Sequence, residues 1–167
     1  MTSPEITIRS ATAGDAQAIC GIYNPHIRDT IVSFEEIEVS IPEMAERIAG
    51  VTQNFPWLVA EENGALLGYA YAGFFTDRSA YRHSVFSTIY VHEKAQRRGI
   101  GTTLYSALLE RLQAAPHVHA VLGGIALPNA ASVALHEKCG FKKVAHLSEV
   151  GFKFGRWIDV GYWQIAL

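Results

Sequence analysis

Residues 85–112 read VFSTIYVHEKAQRRGIGTTLYSALLERL. The segment opens on an apolar run rich in β-branched and aromatic residues, Val85 to Val91, which predicts a strand. From Ile100 onward the large apolar residues fall four apart, at Ile100, Leu104, Leu108 and Leu112, with Ala107 beside them. That spacing predicts a helix with one core-facing stripe, stopped by Pro116. Between strand and helix lies Gln96-Arg97-Arg98-Gly99-Ile100-Gly101. Gly99 and Gly101 let the backbone turn tightly and leave its N–H groups uncovered. Such groups at a helix N-terminus attract phosphate, and Arg97 and Arg98 neutralise the remaining charge. The segment therefore predicts a pyrophosphate site at Arg97–Thr102. A Walker loop would need a lysine before Thr102. A dinucleotide fingerprint would follow the first strand, and this glycine pair comes late.

Outward from this segment, strands and helices alternate irregularly. Ile6 to Arg9 predicts a first strand. Thr12 or Asp15 caps a helix with Ala16, Ile19, Cys20 and Tyr23 on one face, which Asn24-Pro25 should end. Residues 26–39 read as irregular. Ser40, with Glu43 three residues on, caps a second helix carrying Met44, Ile48 and Val51 and ending near Asn54. Trp57 to Ala60 and Leu66 to Phe75 predict strands joined at Asn63-Gly64, a hairpin signal. Gly68 and Gly73 inside the second strand suggest a bulge or a close backbone neighbour. Asp77 to His83 is a polar loop. Ala120 to Ile125 predicts a strand and Asn129 to Lys138 a helix, with Gly140 as a left-handed cap. Phe141 to Leu147 and Ile158 to Leu167 predict final strands, connected by Gly151 to Trp157. No repeat, low-complexity tract or dividing linker is visible. The reading is one α/β domain over residues 1–167, a mixed sheet with helices on its faces.

Fourteen basic and sixteen acidic residues give a formal charge of −2, so nothing attracts nucleic acid over the whole surface. The dense basic patch, Lys94, Arg97 and Arg98 beside the glycines, suits a small phosphorylated ligand. Cys20 and Cys139 are the two cysteines; both lie in apolar helical contexts and are expected as buried free thiols. No histidine cluster has a ligand pattern, so no metal is expected. The N-terminus lacks the apolar core of a signal peptide, and no run reaches the ~18 apolar residues of a membrane span. Cytoplasmic residence is the expectation.

The sequence resembles the GNAT superfamily of N-acetyltransferases, and within it the phosphinothricin and methionine sulfoximine acetyltransferase family. QRRGIG fits the superfamily's loop. The family likeness adds IYNPHI, FPWLVAEENG, YAYAGFF, YRHSVFSTIYVH, LPNAASVALHEKCGF and VGFKFGRWIDVGYWQ, in order along nearly the whole chain. The resemblance implies a central, twisted, mostly antiparallel mixed sheet flanked by helices. It implies acetyl-CoA as co-substrate, held by Ile89, Tyr90 and Val91 along the pantetheine, by Arg97, Arg98, Gly99, Ile100, Gly101 and Thr102 at the pyrophosphate, and by Asn129 and Ser132 at the next helix. It also implies a homodimer, with Tyr162-Trp163 and the GFKFGRW loop as interface pieces or as intramolecular packing.

Acetyl transfer to an amine needs a deprotonated nitrogen, a polarised carbonyl and a stabilised thiolate. With both substrates bound together, no covalent enzyme intermediate is required; Cys139, at a helix end, is read as packing. The family's in-strand glutamate is replaced by Phe86, which cannot take a proton. Glu35 or Glu36 in the irregular loop, His83 through a water, or a water chain remain as bases. His136 stands where related enzymes carry a tyrosine that protonates the departing sulfur, and imidazole can serve as that acid; the alternative is a locally bonded helix-surface histidine. For a small amino acid analogue, Arg78 or Arg82 would meet a carboxylate. Phe34, Phe75, Tyr81, Phe86, Ser87 and Thr88 would line the pocket. The expected activity is acetylation of such an amine. A peptide or protein N-acetyltransferase and a noncatalytic acetyl-CoA-binding module stay open.

Overall fold

The computed structural model describes residues 5–167. Its elements run β1 (Thr7–Ser10), α1 (Ala16–Asp29), α2 (Ile41–Thr52), β2 (Trp57–Glu62), β3 (Ala65–Phe74), β4 (Ser84–Val91), α3 (Ile100–Gln113), β5 (Ala120–Leu127), α4 (Ala130–Lys138), β6 (Lys142–Lys153) and β7 (Arg156–Ala166). The strands form one seven-stranded sheet in the order β1-β2-β3-β4-β5-β7-β6. Every neighbouring pair is antiparallel except β4 and β5. The expected mixed sheet is thus present. Its core lies in two layers. One joins α3 to the sheet through Ile100, Leu104, Tyr105, Leu108, Leu112, Val121 and Trp163. The other joins α1 and α2 through Ile19, Ile27, Met44, Ile48, Trp57 and Tyr69.

The site is made by one irregularity. β4 and β5 pair only over Ser84–Phe86 with Ala120–Leu122. Beyond Phe86 the two parallel strands part, while β5 stays paired with β7 along its length and β4 with β3. The β4 edge from Ser87 to Val91 therefore faces no strand of the described chain, and its backbone groups need partners from elsewhere.

Several local expectations hold. Ser40 accepts from the Glu43 N–H at 3.3 Å, and Asn63 and Gly64 both take positive φ in the β2–β3 turn. Gly140 is left-handed. A Cβ at Gly68 would lie 2.8 Å from the Tyr90 carbonyl oxygen, so this glycine does mark a close backbone approach, whereas Gly73 faces open space.

Two boundaries need correction. α1 does not stop at Asn24-Pro25 but runs through Pro25 to Asp29. Pro25 lies near the C-terminal end, where it removes one N–H. Asn24 is fixed from outside by two 3.0 Å bonds with the Val39 backbone, and Ile22 and Ile27 are both buried. The expected Gly151–Trp157 connector is mostly strand: β6 and β7 continue into a hairpin whose turn residues, Phe154 and Gly155, have φ of 53° and 72°.

Candidate active site

A narrow cavity occupies the gap between β4 and β5. It is lined by Phe86, Ser87, Thr88, Ile89, Tyr90, Gly124, Ala126, Asn129, Ser132 and His136, among others. Strand residues alternate faces. Ser87 bonds Tyr105 of α3, on one side of the sheet, while Tyr90 packs on Tyr23 and His26 of α1, on the other. The gap thus opens through the sheet and joins its two faces.

On the α3 side, the Gly-rich turn has the predicted form. Arg97 and Gly99 both take left-handed φ, 62° and 81°, and Gly99 is the N-cap of α3. A side chain at Gly101 would press on Leu135, 3.1 Å from its built Cβ. A helix N-terminus reached through such a turn has the form of a candidate anion cradle. Ile100 is buried, so its contribution to that cradle is backbone. Arg98 is tied to Glu62 at 2.6 Å; Arg97 forms no ion pair among the described residues. Asn129 caps α4 by accepting from Ser132 N–H at 3.1 Å, and both line the cavity.

His136 is not a helix-surface residue: it is 4% exposed. Its Nδ1 lies 2.8 Å from the Ser132 carbonyl and its Nε2 3.1 Å from the Tyr105 hydroxyl. Tyr105 in turn lies 2.6 Å from Ser87 Oγ, which is 3.0 Å from the Leu122 carbonyl. Burial holds the His136 pKa below the ordinary imidazole value, and the Ser132 bond offsets only part of this. At neutral pH the ring is neutral. That favours a ring that accepts a proton before it donates one.

On the α1–α2 side lies a larger cleft of ≈ 520 Å³ lined by Val32, Phe34, Glu36, Phe86, Gly124, Ala126, Val150, Phe152 and Tyr162, among others. It shares Val32, Phe86, Gly124 and Ala126 with the cavity through the sheet. Phe86 meets Tyr162 edge-on at 6.1 Å and lies over Gly124, where a Cβ would come within 2.9 Å of its ring. Phe34 crosses from the α1–α2 loop and rests on Gly151, whose missing side chain makes the room.

Other expected residues lie elsewhere. Glu35 points to Arg47, with contacts of 2.7 and 3.2 Å. Burial raises its pKa, but the hydrogen bonds of Arg47 and Tyr23 outweigh this and the net shift is downward. Glu36 is the loop carboxylate that faces the cleft. His83 precedes β4, at the end where β4 and β5 are still paired, and its Nδ1 is 2.6 Å from the His117 carbonyl. Phe75 stacks edge-on with Tyr81, Arg82 bonds the Ser79 carbonyl, and neither they nor Arg78 line the cleft. The β3–β4 loop stands away from the cleft, so the carboxylate partners expected there are not supplied within one chain. Trp163 is buried in the monomer core, which removes it from the expected interface. Cys20 and Cys139 are free, with Cys139 only half-buried. The sequence reading missed Tyr105, Gly124, Phe152 and Tyr162. Its one available signal was Gly123-Gly124, paired glycines inside a strand, which mark close approach on both faces.

The chain that folds into this split sheet is similar to known proteins. Residues 8–161 match the family described as "Acetyltransferase (GNAT) domain". The chain is 41% identical over 165 residues to a phosphinothricin N-acetyltransferase of Streptomyces viridochromogenes, covering 97% of this chain and 90% of that one. It is 36% identical over 163 residues to an L-methionine sulfoximine/L-methionine sulfone acetyltransferase of Salmonella typhimurium, covering 97% and 95%. Among solved structures it superposes on a ribosomal-protein-alanine N-acetyltransferase of Brucella melitensis at TM-score 0.93, 38% identity and coverage of 96% and 99%. It also superposes on a phosphinothricin acetyltransferase of Sinorhizobium meliloti in complex with acetyl-CoA at TM-score 0.92, 37% identity and coverage of 97% and 88%. The chain belongs to the GNAT acetyltransferase family and is an N-acetyltransferase, closely related to the phosphinothricin and methionine sulfoximine enzymes.

Proposed function

We propose that the protein transfers the acetyl group of acetyl-CoA to the α-amine of a small amino acid analogue of the methionine sulfoximine, methionine sulfone or phosphinothricin type. The amine attacks directly in a ternary complex. The observation that carries this reading is the gap between β4 and β5, which brings the anion cradle and the aromatic cleft to one opening. The residues present fit acetyl-CoA. The α3 N-terminus and Arg97 suit the pyrophosphate, the unpaired β4 edge suits the amide groups of the pantetheine, and Asn129 and Ser132 lie at the inner end. A backbone N–H at that edge polarises the thioester carbonyl as charge develops on it.

In the cleft, Glu36 receives the substrate ammonium and Phe34, Phe86, Phe152 and Tyr162 enclose the side chain. Phe86 supplies an apolar wall where the relatives recognised in the sequence carry a carboxylate. A charged group buried against it without a partner costs more than a neutral polar one, so the neutral methionine sulfoximine or sulfone should react better than phosphinothricin, whose phosphinate is anionic. Cysteine chemistry is not needed. The exposed Val144, Val150, Phe152, Phe154 and Trp157 of the β6–β7 hairpin suit the face of a homodimer, an assembly that also offers a place for Arg78 and Arg82. The setting is cytoplasmic.

A peptide or protein N-terminus is the second reading, favoured by the likeness to the Brucella enzyme. The aromatic lining of the cleft suits the side chain of a small amino acid. A panel of amino acids, sulfones, sulfoximines, phosphinothricin, polyamines and short peptides, each with acetyl-CoA, tests this by thiol release and product mass. Reaction with the sulfoximine or sulfone supports the proposal. Reaction with peptides alone removes it.

A further inference from the structure

The Ser87–Tyr105–His136 contacts have a direction, and it follows from one acceptor. The Ser132 carbonyl can only accept, so the 2.8 Å contact requires a proton on His136 Nδ1. In the neutral ring Nε2 is then the lone-pair nitrogen, and the Tyr105 hydroxyl must donate to it. Tyr105 has a single proton. The 2.6 Å contact with Ser87 is therefore bridged by the serine's proton, leaving the more distant Leu122 carbonyl as that proton's alternative acceptor. Space for the arrangement comes from Gly123: a Cβ there would stand 2.5 Å from His136 Nε2. No charged side chain contributes to the displacement of the His136 titration, and Cys139 is the titratable neighbour of Tyr105.

We propose that Ser87, Tyr105 and His136 form a proton relay that takes the proton from the attacking nitrogen, in place of the carboxylate that Phe86 displaces. This rests on the acetyl-transfer reading. The neutral amine, its ammonium proton already released to solvent, attacks the thioester; as the C–N bond forms, the nitrogen becomes acidic and its second N–H bond breaks toward Ser87 Oγ. The serine's own proton moves to the Tyr105 oxygen, and the Tyr105 proton moves to Nε2. Both hydroxyls stay neutral, and the charge ends on the imidazolium. Nε2–H then donates to Tyr105, Tyr105 to Ser87 and Ser87 to Leu122, so every contact in the chain keeps a proton. Return of the proton along the same path to the departing thiolate leaves amide and thiol as net products. Tyr105 is a positioning residue: it sets the ring's tautomer and passes the proton without touching substrate.

Two measurements test the relay. Nitrogen NMR of the imidazole in the free protein should show His136 as the Nδ1–H tautomer with a hydrogen-bonded Nε2, and Tyr105→Phe should shift the Nε2 signal. Ser87→Ala and Tyr105→Phe should each lower kcat about 100-fold, the scale of a lost acid–base route, with acetyl-CoA affinity unchanged. Ser87→Thr, which keeps the hydroxyl, should recover most of the rate. An Nε2–H tautomer in the wild type overturns the proposal, even if a variant fails to fold. So does a folded Ser87→Ala protein with wild-type kcat. If the wild type acetylates no amine, the functional reading fails, while the tautomer still reports on the relay's geometry.

Discussion

The two faces of the sheet are built differently. On the α3 side, the candidate anion cradle comes from six consecutive residues, Gln96 to Gly101, and its shape follows from two left-handed backbone positions and a helix start. On the α1–α2 side, the proposed amine cleft draws Phe34 from a loop, Phe86 from β4, Gly124 from β5, Phe152 from β6 and Tyr162 from β7. The cradle is local chemistry. The cleft exists only when strands far apart in sequence are in register. Disturbance on the first side should therefore act on the cofactor alone, and on the second on the amine alone.

The largest expected effect is on the cradle. Gly101→Glu puts a carboxylate at the anion site and a Cβ against Leu135. Acetyl-CoA affinity by calorimetry should fall at least about 100-fold, from lost space and added repulsion together. A folded variant with unchanged affinity would erase the distinction between the two sides.

Gly151→Ala should do the reverse. Its methyl would collide with the Phe34 ring, and overpacking of about 1–3 kcal/mol corresponds to a rise in amine KM of about tenfold. Acetyl-CoA affinity should stay within about twofold. Equal losses in both would show that the sides are mechanically coupled.

Lys153 sharpens the picture of the cleft's roof. Its buried Nζ donates to the Ser33 carbonyl at 2.6 Å, holding the loop that carries Val32 and Phe34 onto β6. Burial lowers its pKa. Lys153→Met should cost about 1–3 kcal/mol in a denaturant melt and raise amine KM more than it lowers kcat. A kcat effect alone would mean that the loop is held by other contacts.

The smallest effect separates the faces by pH. Because the folded state depresses the His136 pKa, the unfolded chain binds that proton more readily. The neutral ring's contribution is complete above about pH 6.5, the ordinary imidazole value, and is lost as pH falls from there toward the folded pKa. In unfolding experiments across this window, His136→Gln should flatten the decline in stability, whereas Gly151→Ala should leave its slope unchanged. An unaltered slope in His136→Gln would mean that the ring is as solvated as in the unfolded chain.

This asymmetry also explains what could be read before the structure. The strand, turn and helix from Val85 to Leu112 were legible because period, glycine placement and charge all lie within one short window. Ser40 and Gly140 were legible for the same reason. Pro25 misled because its effect on α1 is overridden by Asn24 bonding to Val39, a contact no local pattern contains. Arg78, Arg82 and Tyr81 were chosen for suitable chemistry close to β4, yet their loop lies away from the cleft. Tyr105 looked like one more buried position of an amphipathic helix. Only the approach of α3, α4 and β4 turns it into a link between Ser87 and His136.

The central claim is that both substrates meet in the gap between β4 and β5 and react without an enzyme-bound acetyl group. Initial rates measured while acetyl-CoA and the preferred amine are varied together test it most directly. A ternary complex predicts intersecting double-reciprocal lines, with Cys139→Ala retaining the wild-type pattern and rate. Parallel lines, together with an acetylated protein trapped in the absence of amine, would contradict it.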